Sequence, residues 1–211
     1  MADARLVVQI GESARSRVRI VLDDGLSFVL YKGELRRYHL CEGQEIAQEV
    51  YKEIMEEVLP KRAKLRAMNL LKARAYTEKQ LSDKLEAGGY PGRIVEEAMA
   101  YVRSYGYTDD RQYAADFVEY NKERKSRAVL FRDLLRKGIS QEVIEEAWQE
   151  HASENEGELE REQILSWIKK KNFIVSEATF AEKQKFSAFL YRKGFQIDAI
   201  RSALSLDITS I

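Results

Sequence analysis

At 211 residues the chain has room for one or two domains, and its 45% hydrophobic content is enough to build a core. Its 35 cations and 35 anions cancel, which argues against indiscriminate polyanion binding but leaves local patches open. The single Cys41 cannot close an internal disulfide, no apolar run approaches a membrane span, and no signal-peptide pattern follows Met1; a soluble, cytoplasmic monomer with no membrane partner is expected.

Residues 1 to about 40 are strand-like. Val18, Ile20 and Leu22 alternate with other residues, Asp23-Asp24-Gly25 supplies a turn, and Leu26, Phe28 and Leu30 alternate again. Leu6 to Ile10 and Leu35 to Leu40 are candidates for further strands of a small antiparallel sheet. Residues 44 to 59 then read as an acidic amphipathic helix with Ile46, Val50, Ile54 and Val58 on one face. Six glutamates against Lys52 give that region, counted from Glu42, a charge of −5, and Leu59-Pro60 is expected to end the helix.

From Lys61 the sign flips. Lys61, Arg62, Lys64, Arg66, Lys72, Arg74 and Lys79 against Glu78 make +6, and Leu65, Met68 and Leu71 mark a helix. Thr77 begins a second helix, and a third runs from about Gly92 to Tyr105. Asp109 or Asp110 caps the next, which carries Tyr113, Phe117 and Tyr120. Lys122 to Lys137 is again basic, at +5, through Lys122, Arg124, Lys125, Arg127, Arg132, Arg136 and Lys137. Glu142 to Glu162 is acidic, at −8, and Ser153 to Gly157 looks like the loosest connection in the chain. Leu159, Leu165 and Ile168 open a further helix, which Lys169-Lys170-Lys171 closes.

Three segments share one pattern. Leu81, Leu85, Gly89, Tyr90, Val95, Ala98 and Met99 have the spacing of Leu130, Leu134, Gly138, Ile139, Ile144, Ala147 and Trp148. They also match Phe186, Leu190, Gly194, Phe195, Ile200, Ala203 and Leu204. Each glycine stands where a helix must stop in a left-handed corner. The glycines are 49 and then 56 residues apart, a period that implies tandem helical repeats. The fold expected is mainly α: three-helix repeats forming a curved elongated array, at 61–107, 108–152 and 153–211, behind an N-terminal β extension and acidic helix at 1–60.

Catalytic signatures are lacking. There is no glycine-rich phosphate loop, Cys-x-x-Cys or His-Glu-x-x-His, and nothing calls for a metal or cofactor. His39 and Cys41 share a face at strand spacing, but no third group orients them as a nucleophilic pair. Asp109-Asp110-Arg111 reads as a helix start, not a metal or acid–base site. Tyr101, Tyr105 and Tyr107 could stack bases, yet Tyr101 and Tyr105 lie one turn apart, which favours packing between repeats. The recurrence of one basic segment per repeat points to a binding function.

These residues resemble the RecX family, the bacterial regulators of the RecA recombinase. YGYTDDRQYAADFVEYNKERKSRAVLFRDLLRKGIS, from Tyr105 to Ser140, is similar to the family's central signature: an aspartate pair, arginine, an aromatic and alanine, a basic linker, then leucines running into Lys-Gly-Ile. TEKQLSDKLEAGGY resembles its first repeat and KQKFSAFLYRKGFQIDAIRSA its third, so the likeness spans roughly residues 61 to 206. Lys125-Ser126-Arg127 departs from the glycine and small residue common before the linker arginine, and Gly88-Gly89 lacks the usual cation of repeat one.

The resemblance implies a non-enzymatic protein that binds in the groove of the RecA–DNA filament. There it would restrain strand exchange, ATP hydrolysis and support of LexA cleavage. Single- and double-stranded DNA would be weaker, electrostatic partners. The expected contacts are the basic faces: Arg66, Lys72, Arg74 and Lys79; Lys122, Arg124, Lys125, Arg127, Arg132, Arg136 and Lys137; and Lys169, Lys170, Lys171, Lys185, Arg192 and Lys193. The alternative is a helical repeat that binds nucleic acid in general and acts without RecA.

Overall fold

In the computed structural model, which describes residues 5–152 and 156–205, the alternating segments pair into an antiparallel sheet. β1 (Arg5–Ala14), β2 (Arg17–Leu22), β3 (Ser27–Tyr31) and the two-residue β4 (Glu45–Ile46) lie in the order β3-β2-β1-β4. Asp24 stabilises the β2–β3 turn by accepting the Leu26 N–H at 2.9 Å. The alternation buries Ile20, Leu22, Phe28 and Leu30 completely or nearly so.

Leu35 to Leu40 is not a strand. Residues Lys32–Arg37 form a short helix, α1. Glu34 accepts the Tyr31 N–H at 2.8 Å, which closes the helix start, and Leu35 and Tyr38 meet the core at helical, not alternating, spacing.

The acidic helix also differs from expectation. It starts at Gln48, because Ile46 is drawn into the sheet as part of β4, and it does not end at Pro60. α2 (Gln48–Lys52), a π-helical turn (Glu53–Val58) and α3 (Leu59–Ala73) form one helical run with helical backbone at every junction. Proline lacks an N–H and its ring collides with the carbonyl four residues back. Pro60 sits in the first turn of α3, where the widened π turn has already shifted the carbonyl register.

α4 (Glu78–Ala87) and α5 (Gly92–Ser104) follow. Thr77 caps α4: its hydroxyl accepts the Gln80 N–H at 3.2 Å. Two compact units result, Met1–Asp109 and Asp110–Ile211. In the first, the sheet and α3 to α5 share a single core that includes Phe28, Leu30, Ile54, Leu81, Leu85 and Ile94.

The second unit contains α6 (Asp110–Asn121), α7 (Arg127–Arg136) and α8 (Gln141–Ala152), then α9 (Glu156–Lys170), α10 (Phe180–Arg192) and α11 (Ile197–Leu204). Leu130, Leu134, Ile139, Ile144 and Trp148 gather the first three helices; Ile164, Phe186, Leu190, Phe195 and Ile200 gather the last three. Of the loose stretch read from the sequence, Ser153 to Asn155 lie outside the described residues, and Gly157 belongs to α9.

The aligned glycines behave alike. Gly89, Gly138 and Gly194 all take left-handed φ, at 85°, 89° and 84° respectively. The residue after each donates its N–H to the carbonyl of the leucine four residues before the glycine: Tyr90 to Leu85 at 3.4 Å, Ile139 to Leu134 at 3.2 Å, Phe195 to Leu190 at 3.4 Å. That is one helix-ending motif used three times.

Leucine proved a poor guide to the core at three places. Leu65, Leu135 and Leu165 are 62%, 49% and 47% exposed. Close helix packing selects the smaller Ala63 and Ala67 on α3, and the neighbouring Ile164 on α9. On α7 the buried stripe is Leu130 and Leu134 alone.

Candidate functional site

Between Lys61 and Arg74 the chain has no carboxylate, so α3 offers a cationic outer surface. Arg62 turns inward, half-buried, to an ion pair with Glu34 and a contact over Tyr31. Lys64 lies over the Tyr101 ring at 5.7 Å, and Arg74 over Tyr76 at 4.5 Å. Arg66 and Lys72 are exposed with no carboxylate partner among the described residues. Lys79 is held by Asp83 at 3.0 Å, one turn along α4.

In the second unit the central basic segment divides by role. Lys122 bonds Glu119 at 2.6 Å and the His151 carbonyl at 2.9 Å, and its ammonium holds the Glu119 carboxyl below the usual carboxylate range. Lys125 bonds Asp133 at 2.9 Å and lies over Phe117. Arg127 meets Glu145 at 2.7 Å and Glu156 at 3.4 Å, with the rings of Phe131 and Trp148 beside it. The buried amide of Gln163 on α9 donates to the carbonyls of Lys122 and Lys125. Lys122 and Arg127 therefore tie the α6–α7 connection to α8 and α9, and Lys125 ties α6 to α7. Lys137 folds over Tyr113 and Phe117.

Arg132 and Arg136 do the opposite. Both are exposed, one turn apart on α7, with no carboxylate partner among the described residues, and the exposed Leu135 lies between them in sequence. Arg124 is also outward, over the 71%-exposed Tyr120 at 5.3 Å.

In the third repeat the fold assembles what the sequence separates. Trp167 and Phe189 meet edge to face at 5.3 Å. Lys170 and Lys193 lie over Trp167 at 4.9 and 5.0 Å; Lys171 and Lys193 lie over Phe189 at 5.5 and 5.6 Å. Three ammonium groups thus surround two rings, a cationic and aromatic surface suited to phosphate or carboxylate. Lys169, Lys185 and Arg192 are exposed on the same helices, α9 and α10, or at their ends. The sequence signal for this cluster was a tryptophan three residues before Lys170, but its second ring comes from another helix.

Of the three tyrosines, Tyr101 packs partly buried against the core, whereas Tyr105 and Tyr107 do not. Tyr101 and Tyr105 meet at 4.9 Å, and Tyr105 stacks on Tyr107 at 5.7 Å with planes 14° apart, while Tyr105 and Tyr107 remain 61% and 47% exposed. Asp109 immediately precedes α6 and Asp110 is its first residue, as a helix start requires. His39 and Cys41 are exposed in the turn after α1, where their backbones bond Arg36 and Gln44. Among the described residues, no helix is long and apolar enough to cross a membrane.

Comparison with known proteins agrees with the three-fold pattern. Residues 63–101, 109–147 and 158–204 match the models for the first, second and third three-helix domains of RecX. A protein of Caldanaerobacter subterraneus named "Regulatory protein RecX" is 37% identical over 167 residues, covering 78% of this chain and 80% of the relative. One of the same name from Bacillus licheniformis is 30% identical over 89% of this chain and 71% of its own length. A solved structure described as regulatory protein RecX matches in fold with a TM-score of 0.62 at 22% identity, over 96% of this chain and all of that one.

Proposed function

This chain belongs to the RecX family, and from that premise we propose that it is a non-catalytic modulator, mainly an inhibitor, of the RecA recombinase. It lies in the groove of the RecA–DNA filament, with repeats 61–107, 108–152 and 153–211 meeting successive parts of it. Occupying that groove keeps out incoming duplex and LexA, and so restrains strand exchange, ATP hydrolysis and LexA cleavage.

The observation that carries the reading is the outward set of cations on successive repeats: Arg66 and Lys72, then Arg132 and Arg136, then the lysines around Trp167 and Phe189. None of them has a carboxylate partner among the described residues, in contrast to Lys122, Lys125 and Arg127. The deciding experiment is RecA ATPase and strand exchange on single-stranded DNA with and without this protein. No effect on either would overturn the reading.

A salt series separates this from general nucleic-acid binding. Affinity for bare single-stranded DNA should fall with log salt at a slope of about −0.7 per neutralised phosphate. A flat dependence would assign the cations to RecA's surface and remove the alternative. A further test addresses catalysis: Cys41→Ser with His39→Ala should leave every effect on RecA intact. Loss of activity in that double variant, still folded by helical content, would mean the pair has a chemical role.

A further inference from the structure

Tyr107 lies beyond the end of α5, yet its ring returns to Tyr105. The cause is local. Gly106 adopts a left-handed φ of 65°, and the Tyr107 N–H bonds the Val102 carbonyl at 2.9 Å, the same helix-ending corner seen in the repeats. Tyr101 and Tyr105 are four residues apart, so the corner makes a row of three rings at 4.9 and 5.7 Å. The row's last two members are largely open to solvent, although buried tyrosine is what packing alone would produce.

We propose that Tyr105 and Tyr107, backed by Tyr101, form a stacking platform for the unpaired bases of a single-stranded nucleic acid. This rests on the nucleic-acid contact in the function proposed above and names the residues that would read bases where the cations read phosphates. Charge favours this occupant. Lys64 of the carboxylate-free α3 lies over Tyr101, the first ring of the row, so the phosphates of a strand whose bases stack on the tyrosines would meet cations at that end. Among the described residues no further ring or cation covers Tyr107, so it ends the row.

The test compares a short oligodeoxynucleotide with an abasic strand of equal length and phosphate charge, both at fixed salt. The parent should bind the base-bearing strand about tenfold or more tightly, the contribution of about one stacked base. Tyr105→Ala with Tyr107→Ala should erase that preference, leaving binding of the abasic strand and the salt slope unchanged. Tyr105→Phe with Tyr107→Phe should keep it, because stacking needs the ring and not the hydroxyl. If the double alanine variant does not fold, Tyr107→Ala alone, outside any helix, should reduce the preference. A preference that survives alanine overturns the platform. So does a parent that binds both strands equally, in which case phosphate contact still stands. A parent that binds neither strand but still acts on RecA overturns the platform and direct nucleic-acid contact together, and assigns the tyrosines to a protein surface.

Discussion

Arg132→Glu with Arg136→Glu is expected to abolish most filament binding while leaving the fold intact. Both side chains are exposed and neither has a carboxylate partner among the described residues, so stability should change by no more than about 0.5 kcal/mol. The buried stripe of α7, Leu130 and Leu134, is untouched. At an interface the same change replaces attraction with repulsion, and binding should weaken by roughly tenfold or more, most strongly at low salt. The control needs acidic residues that are equally idle. Glu145 and Glu146 do not qualify, because they are bonded to Arg127 and Arg111. Glu158→Lys with Glu162→Lys, on the exposed side of α9, is the better comparison of opposite sign. Inhibition of RecA by the arginine variant at the parent's level would reduce this face to ordinary solvated surface and move the contact to the Trp167 cluster or α3.

The repeat was legible because it is written in local rules. A leucine, or Phe186 in the third segment, one turn before a second leucine, a glycine four residues on, and an apolar face in the next helix specify a helix, a corner and a helix without reference to anything distant. Where distant contacts decided, the sequence misled. Pro60 reads as a helix end, but the helix runs on past it through a π turn whose Ile54 is buried in the shared core. Leu65, Leu135 and Leu165 fit an apolar stripe yet face solvent, because the buried positions of their helices are Ala63 and Ala67 on α3, Leu130 and Leu134 on α7, and Ile164 on α9.

The basic faces show the same division. Their existence and sign are plain in the sequence, but the roles of individual cations depend on partners as far away as Glu145 for Arg127, or Phe189 for Lys171. The tyrosine row was visible as spacing at Tyr101 and Tyr105. Its exposure was not, because that depends on what the tertiary fold leaves uncovered.

The three corner glycines should differ in cost although their backbones are alike, and this ranks the fold's contacts. A β-branched residue at positive φ is strained by roughly 1–2 kcal/mol at any of them. Gly138 is exposed, so Gly138→Val should lose that backbone strain, about 1 kcal/mol or more. At Gly89 a Cβ would overlap the Val29 side chain of β3, whose N–H also donates to the Gly89 carbonyl at 3.2 Å. Gly89→Val must therefore push the first repeat away from the sheet with which it shares a core, adding an overpacking cost of about 1–3 kcal/mol. Gly194 is intermediate: its Cβ would lie 2.7 Å from the Ser126 hydroxyl, which donates to the Lys193 carbonyl at 2.6 Å, and 3.0 Å from the Ala128 methyl. The expected order of melting temperatures is parent, Gly138→Val, Gly194→Val, Gly89→Val, with the last lower than the parent by on the order of 10 °C or more. A Gly138→Val protein that melts like the parent would mean that the corner, and with it the repeat alignment, is wrong. Equal losses at all three would instead preserve the corners but remove the docking of Gly89 on the sheet and of Gly194 on the start of α7.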